Sequence, residues 1–191
     1  MYKVKVNYIM IKTRIEIILG CMFSGKSTEL LRRCNRYKAI GKNILLINHT
    51  NDTRTENKIK THNNISQEAV KLNKLSDLFD KHSDLLNNAD VVGIDEAQFF
   101  DDLHNFVEKA ESYNKIIIIS GLDGDSNRKP FGEILMCIPL CDEVVKLTAM
   151  DMLCHDGTPA IFTKRISEDK EQVCVGSNDK YLAVSRQNYL I

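Results

Sequence analysis

Ile15-Glu-Ile-Ile-Leu19 runs directly into Gly20-Cys21-Met22-Phe23-Ser24-Gly25-Lys26-Ser27, and that junction decides the fold. Residues 15–19 form a short apolar run that predicts a buried strand ending at Gly20. From Ser27 the spacing changes: Leu30, Leu31, Cys34 and Tyr37 recur at helical intervals, and Gly41 supplies a stop. The octapeptide at the junction fits G-x-x-x-x-G-K-[ST]. Glycines at those positions let the backbone turn until successive N–H groups face one anion. Lys26 then reaches the β- and γ-phosphates of a nucleoside triphosphate, and the Ser27 hydroxyl serves Mg²⁺. The helix that follows turns its positive N-terminus toward the same phosphates. A glycine turn with an incidental lysine would need neither the strand before it nor the helix after it. Gly20, Cys21, Met22, Phe23, Ser24, Gly25, Lys26 and Ser27 are therefore assigned to ATP binding.

The rest of the chain repeats the alternation. Asn43–Ile47, Val91–Ile94, Lys115–Ser120 and the segment of Val144, Val145 and Leu147 predict further strands. Leu75–Leu86 and Leu103–Tyr113 read as helices, and the polar stretch Asn48–Asn64 reads as a loop. Near-continuous apolar strands alternating with helices indicate an α/β fold: a parallel sheet of the P-loop NTPase kind with helices on both faces. After Leu147, Gly157, Pro159 and Gly176 punctuate short β-like pieces with no helical pattern. The expected organisation is a nucleotide-binding domain over residues 1–147 and a small, loop-rich unit over residues 148–191.

Composition narrows the classes of partner. Twenty-six basic residues balance 26 acidic ones, which leaves no electrostatic case for DNA, RNA or an acidic membrane. The N-terminal stretch breaks its apolar positions with Lys, Arg, Asn and Glu, unlike a signal peptide. No run approaches the roughly 20 apolar residues of a membrane span. A cytoplasmic location is the expectation. The six cysteines are scattered, with no C-x-x-C pair, and read as reduced thiols. His49, His62, His82 and His104 read as solvent-facing. The Arg32, Arg33, Arg36 and Lys38 cluster reads as a solvated helix face, with a subunit contact as the alternative.

The pair Asp95-Glu96 closes the strand Val91–Ile94. Alone it reads as two solvated acids. Beside a phosphate loop, an acid at the end of a core strand is placed to hold Mg²⁺ through water. The second acid is then available as general base for a hydroxyl acceptor.

Several ordered motifs carry a resemblance: Gly20–Leu30 (GCMFSGKSTEL), Asn51–Arg54 (NDTR), Asp95–Phe100 (DEAQFF), Gly121–Gly132 (GLDGDSNRKPFG), Val144–Thr148 (VVKLT), Thr163-Lys164-Arg165 and Asp179-Lys180-Tyr181. Together they resemble the thymidine kinases of the cytosolic, poxvirus-like type, from about Ile15 to Tyr189. The resemblance implies transfer of the γ-phosphate of ATP to the 5′-hydroxyl of thymidine or deoxyuridine. It implies that Glu96 is the general base, with Lys26 and Arg54 as the other catalytic residues. Asp95 falls on the Mg²⁺ side with Ser27. Asp52, Thr53 and Arg54 match the loop near metal and phosphates, and Gln98 joins the same cofactor set. Met22 and Phe99 resemble apolar residues lining the base pocket, and Leu122, Ser126, Phe131 and Thr163 lie in matching segments. The C-terminal unit implies a lasso-like lid over Ile166–Gly176, with Gln172, Val173, Cys174, Val175 and Gly176 over the base and Tyr181 closing the site. A homo-oligomer is implied as well, since family members often form tetramers.

Three departures qualify the match. Cys21 stands where the family usually has proline; the loop works through backbone N–H groups, so phosphate binding survives. Ser126 stands where the family usually has a phenylalanine near the base, which forfeits about 1–3 kcal/mol if stacking there resembles base–aromatic stacking elsewhere. Many members hold the C-terminal unit with zinc on two C-x-x-C pairs, and those four positions here are Asp151, Cys154, Ser185 and Asn188. One thiol of four argues against structural zinc. A rearranged set of Cys154, His155 and Cys174 lacks a fourth ligand. Without zinc, the unit needs its own packing, with Val173, Val175, Leu182, Val184 and Tyr189 as candidates. Two other readings follow from these departures: a deoxynucleoside kinase of shifted base preference, and an ATP-binding module whose lid no longer closes.

Overall fold

The computed structural model describes residues 12–52, 57–60, 66–167 and 180–191. Thr53, Arg54, His62 and the Gln172–Gly176 lid segment lie outside them. In chain order the first half holds β1 (Arg14–Gly20), α1 (Lys26–Lys38), β2 (Ile44–His49), β3 (Lys58–Lys60), β4 (Ser66–Glu68) and β5 (Val70–Leu72). Then come α2 (Ser83–Asn88), β6 (Val91–Ile94), α3 (Leu103–Ala110), β7 (Ile116–Leu122) and β8 (Glu143–Leu147). The C-terminal segment adds β9 (Ala149–Met150), β10 (Pro159–Ala160), β11 (Phe162–Arg165), β12 (Tyr181–Val184) and α4 (Arg186–Leu190).

Six strands form one sheet in the order β5-β2-β6-β7-β1-β8, and every pairing in it is parallel. The α/β expectation holds. Strand residues divide between the two faces as their alternation requires. Ile17, Leu19, Ile47, Ile94 and Ile119 pack with Leu103, Phe106 and Val107 of α3 on one side. Ile18, Leu46 and Ile118 pack with Leu30, Leu31 and Cys34 of α1 on the other. Register fixes where the site lies. Ile17 and Ile94 both align with Ile119 of β7, so Gly20, Asp95 and Leu122 leave the sheet at one carboxyl edge. In open α/β sheets that edge is where ligands bind.

The structure corrects four local expectations. Leu75–Leu86 is not one helix: a 3₁₀ turn over Leu75–Leu78 is followed by the short α2. The Asp102 carboxylate accepts from the N–H groups of Leu75 and Ser76. The His82 N–H turns back to the Asp77 carbonyl (2.9 Å), which ends the first turn before α2 begins. The polar stretch 48–64 is not all loop, because Lys58–Lys60 pairs antiparallel with Ser66–Glu68 and buries Ile59 completely. The C-terminal unit does contain a helix, α4, too short at five residues to show a period. Arg33 is no solvated residue: its side chain is 12% exposed and bridges Glu16, Glu29 and Glu143 at 2.5, 2.8 and 2.9 Å. Arg32, Arg36 and Lys38 are exposed, as expected of that face.

Candidate active site

The phosphate loop leaves β1 at Gly20 and enters α1 at Lys26. Inside it the Ser24 hydroxyl donates to the Cys21 carbonyl (2.9 Å), and the Lys26 ammonium donates to the same carbonyl (2.7 Å). Lys26 is thus folded back across its own loop. Burial pushes its pKa down, while the carboxylates of Glu96, Asp95 and Asp123 pull it up. Cys21 is buried; its thiol donates to the Ala160 carbonyl (3.5 Å), and burial raises its pKa. The Met22 N–H donates to the Thr163 hydroxyl (3.0 Å). Cys21 and Phe23 also pack with Ala149, Ala160, Ala183 and Met152. The loop therefore rests on the C-terminal unit through residues 21–23.

Asp95 follows β6 and is 2% exposed. Its Oδ1 accepts from the Ser120 hydroxyl at 2.9 Å, and Ser120 belongs to neighbouring β7. Glu96 turns in the left-handed region (φ 51°), a conformation a non-glycine residue keeps only when its surroundings impose it. Its Oε2 accepts from the Gln98 amide (2.7 Å), whose oxygen accepts from the Leu122 N–H (2.9 Å). Asp52 is buried, with Oδ2 accepting from the Asn48 amide (2.8 Å) and its carbonyl from the Lys71 ammonium.

On the pocket side, Phe99 and Phe131 meet edge to face with centroids 5.6 Å apart. Thr163 and Tyr181 are buried. The Tyr181 hydroxyl accepts from Arg165 (2.9 Å), whose guanidinium lies over the tyrosine ring. Ser126 offers its carbonyl to the Tyr189 hydroxyl (2.7 Å).

Sequence reasoning missed some of this neighbourhood. Ser120 is a lone hydroxyl after four isoleucines, and Asn48 is a lone amide after ILLI; both are fully buried. A single polar residue at the carboxyl end of an apolar strand was the available signal. Asp123 pairs with Lys146 at 2.5 Å on the same rim. His49, expected in solvent, is buried against Phe100 (centroids 4.7 Å apart). Burial lowers its pKa, while Asn73 and the carboxylates of Asp101 and Asp102 act to raise it.

The comparison with known proteins agrees with this geometry. A sequence profile described as thymidine kinase matches residues 13–189. The chain belongs to the thymidine kinase family. It is 43% identical over 176 residues to the thymidine kinase of Vaccinia virus (strain Western Reserve), covering 92% of this chain and 96% of that one. It is 43% identical over 175 residues to that of Yaba monkey tumor virus (strain VR587), covering 92% and 93%. The thymidine kinase of Sheeppox virus (strain KS-1) is 41% identical over 177 residues, covering 93% and 97%.

Membership of this family raises the question of its zinc. Asp151, Cys154, Ser185 and Asn188 do come together, but as a hydrogen-bonded clasp. Asp151 Oδ2 accepts from the Ser185 N–H (2.6 Å) and the Asn188 amide (2.9 Å). Its Oδ1 accepts from the N–H groups of Leu153 (2.8 Å) and Cys154 (3.2 Å). The Asn188 amide also donates to Cys154 Sγ (2.9 Å). N–H donors converge where a cation would need lone pairs, and one thiol stands among them. These residues do not fit a tetrahedral zinc. Although burial opposes it, this set of donors holds the Asp151 carboxyl well below the usual carboxylate range. Among the described residues no cluster of three or more His, Cys, Asp or Glu could hold a metal, and none of the helices is long and apolar enough to cross a membrane.

Proposed function

We propose that this chain transfers the γ-phosphate of ATP to the 5′-hydroxyl of thymidine, or of deoxyuridine, giving the 5′-monophosphate and ADP. One observation carries the reading: the phosphate loop after β1 and the Asp95-Glu96 pair after β6 leave the sheet at the same carboxyl edge, in register through Ile119 of β7. A phosphate-gripping cation and a carboxylate suited to proton abstraction thus share one rim of the sheet. Glu96 takes the proton of the 5′-hydroxyl as its oxygen bonds to the γ-phosphorus and the bond to the β,γ-bridging oxygen breaks. Lys26 holds the phosphate oxygens while charge moves onto the leaving ADP. Arg54 and Asp52 fill the roles their motif implies on the phosphate side, with Thr53 between them.

Ser27 in the first turn of α1 and Asp95 after β6 carry hard oxygen donors of the kind Mg²⁺ takes, and they would hold it. When bound, the ion neutralises phosphate charge. Residues 1–147 then act as the nucleotide-binding domain. Residues 148–191 act as the lid, with Gln172, Val173, Cys174, Val175, Gly176 and Tyr181 over the nucleoside and Met22, Phe99, Leu122, Ser126, Phe131 and Thr163 around it. Excluding water protects the transferred phosphoryl group. A homo-oligomer in the cytoplasm, with no nucleic-acid partner, is the setting we propose.

Label transfer from [γ-³²P]ATP to thymidine tests the reading. Glu96→Gln is expected to lose on the order of 10²–10⁴ in turnover and to keep ATP binding. Near-normal turnover in that variant would remove the base assignment. Thymidine, deoxyuridine and deoxycytidine competing in one assay set the base preference.

A further inference from the structure

We infer that Gln98 is a positioning residue for Glu96, not a ligand of the nucleotide; this rests on Glu96 being the base. Both ends of the Gln98 amide are used inside the protein. Its oxygen accepts from the Leu122 N–H at 2.9 Å, and its nitrogen donates to Glu96 Oε2 at 2.7 Å. The orientation of that amide follows from chemistry. A backbone N–H can only donate, so the amide oxygen must face Leu122 and the NH₂ must face the carboxylate. The result is a relay from the end of β7 to the acid that follows β6.

The relay is walled in. Gln98 is 3% exposed. A Cβ on Gly121 would stand 2.8 Å from Gln98 Oε1, and a Cβ on Gly132 would stand 2.2 Å from the Gln98 carbonyl. No residue but glycine fits either position without displacing Gln98. Gly121 and Gly132, at the two ends of the GLDGDSNRKPFG segment, thus leave the space that the Gln98 amide oxygen and carbonyl occupy. The bond from the Leu122 N–H holds the Gln98 amide, and Glu96 is aimed from the β7 backbone. With its own backbone at φ 51°, Glu96 is fixed at both ends of its side chain. General-base efficiency depends on such placement, since about 1 Å of misplacement can cost on the order of 100-fold.

The test is a double-mutant cycle on the full chain. Gln98→Met keeps the volume and loses both hydrogen bonds. Gln98→Glu keeps the acceptor for Leu122 and puts a like charge against Glu96. Each is expected to lower kcat by roughly 10–100-fold with KM for ATP and ATP affinity within about twofold of the parent. Adding Gln98→Met to Glu96→Gln is expected to cost no further turnover, because the group being aimed is gone. A multiplicative loss in the double variant, or a loss of ATP affinity in both single variants, overturns the positioning role. If Glu96→Gln alone keeps full turnover, the base reading fails first and takes this inference with it. Melting temperature on the same samples separates a folding loss in Gln98→Met from a catalytic one, and Gln98→Glu then decides.

Discussion

The Met22 N–H and the Thr163 hydroxyl, 3.0 Å apart, join the phosphate loop to the C-terminal unit. Thr163 lies on β11 and is 5% exposed, so the acceptor end of the bond is shielded from water while Met22 is half-buried. Thr163→Val keeps the shape and leaves the Met22 N–H without its acceptor, at a cost of about 1–3 kcal/mol. The expected outcome is a lower melting temperature together with a raised KM for ATP, and Thr163→Ser restores both. A Thr163→Val protein with parental ATP kinetics would show that the loop does not depend on this support.

Lys26 makes a second, opposite prediction about stability. Its pKa is lowered in the fold by burial, against the pull of Glu96, from an unfolded value of 10.5. The unfolded chain therefore binds that proton more tightly than the folded one. Stability from this group rises as pH climbs from the folded pKa toward 10.5. Where the folded protein keeps that proton, the half-buried charge is a cost tolerated for function. Lys26→Met is expected to melt at a higher temperature without nucleotide while turnover falls by about 100-fold or more. Calorimetry of the two apo proteins at pH 7 and pH 9.5 checks both the sign and its narrowing with pH. A lower melting temperature for Lys26→Met at pH 7 would refute it.

The sheet was legible because IEIIL, VVGI and KIIIIS are buried on both faces and bounded by glycine or acid, which leaves little room for another assignment. The donor side was legible for a related reason: backbone-driven phosphate binding demands a fixed spacing, and Gly20–Ser27 has it. Contacts that depend on which strands become neighbours were not legible. Ser120 meets Asp95 across 25 residues, and Arg33 meets Glu143 across 110. Neither pairing leaves a trace in local pattern. The break between Leu78 and Ser83 was hidden because three buried leucines, at 75, 78 and 86, mimic one helical stripe.

Arg33 gives a third prediction. Glu16 is an acid inside β1, 8% exposed at its side chain, and Arg33 and Arg14 both bond it, at 2.5 and 2.7 Å. Removing one partner of a buried pair costs more than removing both, because the remaining charge stays desolvated. Arg33→Met is expected to lose about 3 kcal/mol, near the low end for such pairs since Arg14 still reaches Glu16. Replacing Glu16 as well, with Glu16→Met, is expected to recover most of that loss. Urea unfolding of the single and double variants decides; equal losses in the two would mean the charge on Glu16 is of no account.

The clasp around Asp151 makes the last prediction, and it separates this chain from a zinc-bound lid. If donors from Ser185, Leu153, Cys154 and Asn188 hold the unit together, no metal is needed for its fold. Treatment with 1,10-phenanthroline followed by dialysis should leave the melting temperature unchanged, and turnover should return in full when Mg²⁺ alone is restored. Asp151→Ala removes the acceptor of four hydrogen bonds at once. It is expected to lower the melting temperature by roughly 5 °C and to raise KM for thymidine, because β11 and β12, which carry Thr163 and Tyr181, are tied to the clasp through Ser185. Asp151→Asn keeps one acceptor oxygen and should fall between the two. The opposite construction is equally informative. Changing Asp151, Ser185 and Asn188 together to cysteine places four thiols where the clasp stands. That variant should take up one zinc per chain and become sensitive to the chelator. A parent protein that carries stoichiometric zinc, or loses its melting transition to phenanthroline, would contradict the clasp outright.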